Sequence, residues 1–581
     1  MAVAFLGSIG LKDIMAYEGS SIPYTNSFFA LLIFVLSLCV CKSAVPQYIS
    51  ASKRDKVYAA VFALLLSIAL QFGARLESAD NVNFVRASLY LDILCLTCLL
   101  APLSYALMDR LPDICKVFFK EEESSFKLWK VWTVIFVLWI PSFLAFFPGA
   151  FVYDATDEYV EVISRSFTTH HPLIHVLLLG GLTHLGEYLG LGANGGIAAY
   201  TLLQMVVLAL VFSYMIILLG RWGLSKKYCL IWMIILGVFP IYPMYALCSA
   251  KDTYFSAAFL MVMLMSIEFV RDKDRFFDKR RFILLISATL MMLLRNNGVY
   301  ALICAIPFIA LAARKGREAF KPVMKFIIIL LTAFVLYEGI SLALKMACNA
   351  EDNEHQEMLT VPIQQLARVY YYEPEVFSEE ELATLHEILP ENYLITYNAR
   401  CSDVLKSGFD NEAYSADPAK YRKLWWEIGL KKPLIYLNAW LVNSYGYWYP
   451  DSVLNGYGGN QMYTFSYDDS SYFGFETEPP GERESLFPML EEYYRNISLE
   501  LFQQKVPVLS MLFAPGFCFY VFAFTLFDEM RKKRWMAAGV LVPVLLLWGT
   551  ALLGPVVLVR YVLIFWFMAP LLPLAYRKVI E

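Results

Sequence analysis

Apolar runs close to the length of a bilayer crossing recur along most of the chain, separated by short polar turns. Thirteen are read: about 27–41, 57–74, 88–108, 128–147, 196–220, 228–248, 253–271, 282–295, 298–313, 325–347, 506–527, 535–553 and 557–576. The first, eighth and ninth are the shortest. A further apolar run, 172–191, is interrupted by His175, Thr183, His184 and Glu187. Only 348–505 breaks the pattern. It has helical stretches at 378–390, 418–430 and 484–500 around a Gly/Tyr/Asn-rich centre that reads as loop or short strand. The pattern predicts an all-α polytopic membrane protein of about 13 transmembrane helices. Interfacial helices are expected in the first large external loop, and a mixed external domain between late helices. The expected division is 1–127 accessory transmembrane helices, 128–347 a transmembrane core with a catalytic external loop at 148–195, 348–505 the external domain, and 506–581 the C-terminal transmembrane helices.

Composition narrows the class. Hydrophobic residues make up 59% and charged residues 17%, with mean hydropathy +0.53, which excludes a soluble globular enzyme and a disordered chain. The 48 Lys+Arg against 52 Asp+Glu leave no basic surplus for a phosphate backbone, so no nucleic-acid partner is expected. The 11 cysteines are scattered, and Cys95 and Cys98 sit in an apolar run with no second pair, so no zinc site is read. The N-terminus lacks the basic start and short apolar core of a cleavable signal.

Charge orients the chain. With the N-terminus outside, the cytoplasmic turns collect 29 Lys+Arg, while the short external segments hold 6: Lys12, Arg75, Arg86, Arg165, Lys251 and Arg295. If 172–191 crossed, every later basic turn would face outward, so it is expected to lie on the outer face as an interfacial helix. The 348–505 insert, with 26 Asp+Glu against 11 Lys+Arg, is then external. The expected location is the plasma membrane, multi-pass, of a bacterial cell.

On this topology the outer face gathers ionisable residues from distant loops. FPGAFVYDATDEYVEVISRSFTTHHP supplies Asp154, Asp157, Glu158, His170 and His171; CSAKDTY supplies Lys251 and Asp252; RNNG supplies Arg295. The last run opens GPVVLVRYV and places Arg560 about one turn into apolar sequence, where a charge is costly and argues for function. A carboxylate can take a proton from an acceptor hydroxyl or amine. Cations at membrane depth can hold a lipid phosphate or diphosphate as a leaving group. Each piece also has a plain structural account. The acids can cap an interfacial helix, Pro172 can start one, and Lys251, Arg295 and Arg560 can snorkel to headgroups. Adjacent histidines seldom ligate one ion, so no metal ligand is assigned. No cofactor is fixed by the sequence, and a divalent cation stays open.

At these residues the chain resembles the GT-C superfamily of integral-membrane glycosyltransferases, in layout the protein O-mannosyltransferase and aminoarabinose transferase group. It also resembles an uncharacterised bacterial multi-pass family with a shared run of motifs, here FPGAFVYD (147–154), HHP (170–172), SAKD (249–252), RNNG (295–298), VPIQQLAR (361–368) and GPVVLVRY (554–561). The resemblance covers roughly 128–581. It implies an acceptor-engaging acid in the first loop, Asp154 by position with Asp157 and Glu158 as rivals. It implies substrate or phosphate contacts at His170, His171, Lys251, Asp252, Arg295, Gln364, Arg368 and Arg560. It further implies a polyprenyl-phosphate or diphosphate sugar donor and a glycan, lipid or protein acceptor, with membrane lipid around both. The chain departs from the superfamily in having one proline after the histidines, extra early spans, an insert between late spans and no Asp-x-Asp in the first loop. The function expected is a membrane glycosyltransferase acting on the outer face. The alternatives are a transporter or flippase of lipid-linked saccharides, for which Glu268 and Glu338 are the intramembrane acids, and a scaffold binding a wall polymer.

Overall fold

The computed structural model of the chain describes residues 1–15, 27–120, 126–272, 276–300, 302–303, 306, 320–352, 355–453, 477–498, 506 and 508–576. Among them there are helices and isolated bridges but no strand. The first group is α1 (Ala2–Met15), α2 (Ser27–Ser50), α3 (Lys53–Ala79), α4 (Ala87–Lys116) and α5 (Leu128–Phe146). Next come α6 (Ala155–Ser164), α7 (Leu173–Tyr188), α8 (Gly192–Arg221), α9 (Lys226–Val238), α10 (Ile241–Leu247), α11 (Lys251–Arg271), α12 (Arg280–Leu294) and α13 (Phe320–Cys348).

Eight helices are long and apolar enough to cross a bilayer: Ala30–Ser50, α3, α4, α5, α8, α11, α13 and the final Val559–Tyr576 segment. The pair α9 and α10, bent by 52° at Phe239–Pro240, is a ninth if counted as one span. The expected thirteen are therefore not reached among the described residues. The run at 282–295 forms the 15-residue α12, pinned between Arg280 and Arg295. At 1.5 Å per residue it is about 22 Å long, short of the roughly 30 Å hydrocarbon layer. The run at 506–527 becomes helical only at Pro515, and that at 535–553 forms 17 residues ending before Gly554. Most of the run at 298–313 lies outside the described residues. Helix α1 is an element the apolar runs do not announce. It crosses α4 closely, and Gly10 gives Gln71 Nε2 its carbonyl at 2.5 Å.

The main core lies among α5, α8, α9, α11, α12 and the C-terminal segment, with Trp139, Phe212, Tyr242, Tyr245 and Phe255 fully buried. Helix α7, 16 residues long, is not among the span candidates. Its polar side chains His175 and Thr183 face inward and are buried, while Leu177, Leu185 and Tyr188 are exposed. The same inward face buries Leu173, Val176 and Leu179, and the exposed face mixes Leu177, Leu185 and Tyr188 with His184.

The 348–505 insert divides between two cores. Residues 359–436 hold α14 (Thr360–Tyr372), α15 (Glu379–Ile388), α16 (Pro418–Lys431) and the start of α17 (Pro433–Ser444). Ile363, Leu366, Leu385, Leu424, Ile428 and Tyr436 pack there into a core of their own. A capping box at Ser378 and Glu381 starts α15. From Leu441 onward the chain enters the main core, with Tyr445, Tyr447 and Tyr449 buried among the spans. The described part of this insert is helical, and residues 454–476 of the Gly/Tyr/Asn-rich centre lie outside the described residues. The chain then runs as a strap, 477–486, into α18 (Pro488–Ser498), and finishes with α19 (Pro515–Arg531), α20 (Trp535–Ala551) and a Val559–Tyr576 segment of 3-10 turns around a short α21 (Ile564–Met568).

Candidate functional site

Three loops meet at one end of the bundle. Residues 147–154 leave α5 through Pro148 and Gly149. Gly149 sits at φ 146°, where a Cβ would strike Thr201 Oγ1, so the turn requires glycine. The loop then pairs with the segment after α10. Ala150 N donates to Leu247 O at 3.0 Å and Ser249 N to Ala150 O at 2.9 Å, while Ser249 Oγ takes Val152 N at 3.3 Å. This clamp puts Asp154, at the head of α6, beside Lys251, the first residue of α11. On its other side the loop is held by the strap. Glu478 N donates to Phe151 O at 2.7 Å, Thr477 Oγ1 to Gly149 O at 2.8 Å and Glu484 N to Phe147 O at 2.9 Å.

Arg560 arrives by a different device. Residues 555–558 are extended rather than helical, and their backbone is satisfied by side chains of the α17 region. Asn443 Nδ2 donates to Gly554 O at 2.8 Å, and Tyr447 Oη donates to Val556 O at 3.2 Å and accepts Leu558 N at 3.0 Å. Arg560 therefore begins a 3-10 turn (Val559–Val562) and does not stand a turn deep on a straight α-helix, as its apolar surroundings suggest.

The charges interlock. Lys251 Nζ donates to Asp154 Oδ2 at 2.8 Å and to His171 Nδ1 at 2.9 Å. Arg560 Nη1 donates to Asp154 Oδ2 at 3.2 Å and lies 3.6 Å from Asp252 Oδ2, and Arg295 pairs with Asp252 Oδ1. The Arg560 guanidinium stacks 4.1 Å over the Tyr153 ring, and Arg295 lies 4.6 Å from the Tyr561 ring centre. Two carboxylates thus reach Arg560, one from the head of α6 and one from α11. Three cations, Lys251, Arg295 and Arg560, are shared between two carboxylates, with the Asp157 carboxyl lining the same cavity.

Burial pushes the Asp154 carboxyl up, but Arg560 and then Lys251 outweigh it and hold the group well below the usual carboxylate range. Burial and then Lys251 push His171 well below its usual value, so it is neutral, accepts from Lys251 at Nδ1 and carries its proton on Nε2. Asp157 goes the other way, raised by burial and then by the Asp154 charge.

These groups form the floor of a cavity of about 1110 Å³ between the 148–174 loop, α12, α13, the 355–407 part of the insert and the end of α20. Asp154, Asp157, His170, His171, Lys251, Arg295 and Arg560 all line it. The opposite wall carries Glu338, Lys345, Glu357, Asp403 and Lys406, which the sequence did not single out as a group. Lys406 pairs with Glu357 at 2.8 Å and Asp403 at 3.2 Å. Tyr153 and Tyr561 were also missed, although each stands beside a charged residue of the floor in sequence.

Glu158 turns away from the cavity. Its Oε2 meets His175 Nδ1 at 2.5 Å, His175 Nε2 meets Tyr200 Oη at 2.8 Å, and Tyr200 Oη meets Gln204 Oε1 at 3.1 Å. Gln204 Nε2 closes the chain on Cys248 O at 2.7 Å. This buried relay ties α6, α7 and α8 to the Ser249 loop and so positions Lys251. Gln364 and Arg368 lie apart from the cavity. Gln364 Nε2 donates to Asn398 O at 2.6 Å, and Arg368 donates to Tyr397 Oη at 3.0 Å and to Asp80 O at 2.5 Å, so both hold the insert together and against the end of α3. Glu268 lies near the end of α11, where it accepts Trp222 Nε1 at 2.6 Å and pairs with Arg280 at 2.6 Å.

Asp154, Glu158 and His171 each offer a ligand atom within 4.8 Å of the others. Lys251 already bridges two of them and His175 holds the third, so the ammonium stands where a cation would and a metal would have to displace it.

These features define a multi-pass, all-α membrane protein with a charged cavity at one end of its bundle. The chain belongs to a family of unknown function (DUF6020), matched over residues 163–579. His170, His171, Lys251, Asp252, Arg295 and Arg560 fall inside that match, and Asp154, Asp157 and Glu158 precede it. No curated protein and no solved structure matches the chain.

Proposed function

We propose that the chain is a membrane glycosyltransferase of GT-C type, moving a sugar from a polyprenyl phosphate or diphosphate to an acceptor at the outer membrane face. The observation that carries this reading is the convergence of Lys251, Arg295 and Arg560 on the floor of a large cavity that also exposes Asp157. Two guanidinium forks and an ammonium set side by side suit the oxygens of a lipid-borne phosphate.

Asp157 is the general base in this reading and Asp154 is not. Asp154 is held ionised by two cations and is a weak proton acceptor; Asp157 lines the cavity with a raised affinity for a proton. An acceptor hydroxyl gives its proton to the Asp157 carboxylate, and its oxygen bonds to the anomeric carbon. The bond from that carbon to the phosphate oxygen breaks, and the electron pair stays on the phosphate. Lys251 and Arg560, aimed by Asp154, take up the charge that develops there.

The test is release of label from radiolabelled polyprenyl-phosphate sugars by the detergent-solubilised chain, with a membrane extract as acceptor. Transfer that is lost in Asp157→Asn is the expected result. Absence of transfer, together with movement of the intact labelled lipid between leaflets of reconstituted vesicles, would establish the flippase reading instead.

A further inference from the structure

The 359–436 subdomain carries an apolar stripe on its outside that its own core does not use. Trp426 and Leu430 on α16 are 60% and 67% exposed, and Leu434 and Leu437 on α17 are exposed as well. Trp426 and Leu430 share one face of α16 by their spacing of four, and Leu434 and Leu437 share one face of α17 by their spacing of three, on either side of the break at Lys432. Trp425 beside them is turned inward, stacking on Tyr436 and donating to Gln365 Oε1 at 2.8 Å. The exposure of Trp426 is therefore not the overflow of a crowded core.

Helix α17 leads this stripe into the spans. Asn438 Oδ1 accepts Val82 N at 2.9 Å, which fixes that residue at the level of the α3–α4 turn. Leu441, one turn further on, lines an apolar slot of about 300 Å³ with Phe72 of α3, Phe519 of α19 and Trp548 of α20. In the other direction Leu437 and Leu434 lie within about 6 Å of the Asn438 level along the helix axis. Apolar residues of α17 thus run from a slot bordered by the bilayer-crossing α3 to the exposed face of the subdomain. Lys423, Lys431 and Lys432 stand beside the stripe, paired with Glu427, Glu381 and Glu373, so it has the polar border of a helix lying in an interface.

We propose that the subdomain is not a free external domain but rests in the lipid interface on Trp426, Leu430, Leu434 and Leu437, with the bilayer itself as the occupant of that face. Part of the lining of the charged cavity, Asp403 and Lys406, then belongs to a membrane-seated subdomain. This holds whatever reaction the cavity performs.

A nitroxide at Leu430→Cys, in a full-length background cleared of reactive cysteines and reconstituted in phosphatidylcholine/phosphatidylglycerol vesicles, tests it by quencher access. The expected result is strong relaxation by dissolved oxygen and weak relaxation by a water-soluble nickel chelate, with the opposite ratio at Ser415→Cys, an exposed polar position on the short Asn411–Ala416 helix. The label at Leu434→Cys should behave as at Leu430. Nickel access at Leu430 and Leu434 equal to that at Ser415 would overturn the proposal in favour of a water-facing stripe. Shielding of both from oxygen as well as nickel would overturn it in favour of a protein partner or a second copy.

Discussion

Asp154 and Asp157 are three residues apart and chemically opposite, and the difference comes from what each touches. Asp154 is engaged by Lys251 and Arg560, whereas Asp157 faces the cavity beside another negative charge. Asp157→Asn should lower the transfer rate by about 10²–10⁴, the usual loss on removing a general base, with little change in melting temperature. Asp154→Asn should lower both, since it leaves Arg560 and Lys251 with one acid fewer between them. The acid limb of the rate profile should lie at higher pH than an unperturbed aspartate would give, because Asp157 must be ionised to act and burial, then the Asp154 charge, make it hold its proton more tightly than usual. Asp154→Asn should move the limb of the residual activity to lower pH. Glu478 offers a separate check on stability. Burial, followed by Asp157 and Asp154, raises it to about 7. Its folded-state affinity for a proton exceeds that of the unfolded chain, so the stability it contributes is complete below the unfolded value and is lost as pH rises towards 7. Glu478→Gln should therefore melt like the parent at pH 5 and at a higher temperature than the parent at pH 8.

At the level of elements, the site depends on backbone held by side chains from far away in sequence. Gly149→Ala places a Cβ on Thr201 in a conformation that disfavours any side chain. It should cost activity and stability together, by about 1–3 kcal/mol. Gly181→Ala, on α7 with open space around it, is the matching control and should be neutral or slightly stabilising, by up to about 1 kcal/mol. Thermal unfolding of the two variants in one detergent separates them. Tyr447→Phe removes the hydroxyl that serves Val556 O and Leu558 N, and should destabilise by about 1–3 kcal/mol while weakening whatever Arg560 binds. The sequence announces the floor of the cavity well, because Asp154, Lys251, Asp252 and Arg295 all stand where an apolar run stops. It does not announce the strap at 477–486 or the clasp on 554–558. Those contacts are main-chain carbonyls and amides, and residue type says little about where a carbonyl points. Gln364 and Arg368 misled for a related reason. A polar motif in a helix reads alike whether it grips a ligand or the backbone of Asn398 and Asp80.

For the whole molecule, the apolar runs give the class of fold, and they outnumber the eight or nine span-length helices among the described residues because 15- and 17-residue helices between charges, prolines and glycines also read as apolar runs. The orientation rests on the lysine and arginine count. Cysteines introduced at Ser415 and at Lys226 should therefore differ, with only Ser415 reached by an impermeant maleimide on intact cells; labelling of Lys226 alone would reverse the topology. The pairing of Asp154 with Arg560 joins residues 406 positions apart. At roughly 5–20 residues per second a ribosome needs about 20–80 s to make the second after the first. For that interval the early half of the chain is already threaded into its membrane, with Asp154 answered by Lys251 alone and the carbonyls of Phe147, Gly149 and Phe151 still awaiting the strap. Assembly of the pocket is thus the closing act of synthesis. A chain stopped anywhere before Arg560 therefore carries the Lys251 contact of Asp154 without its second cation.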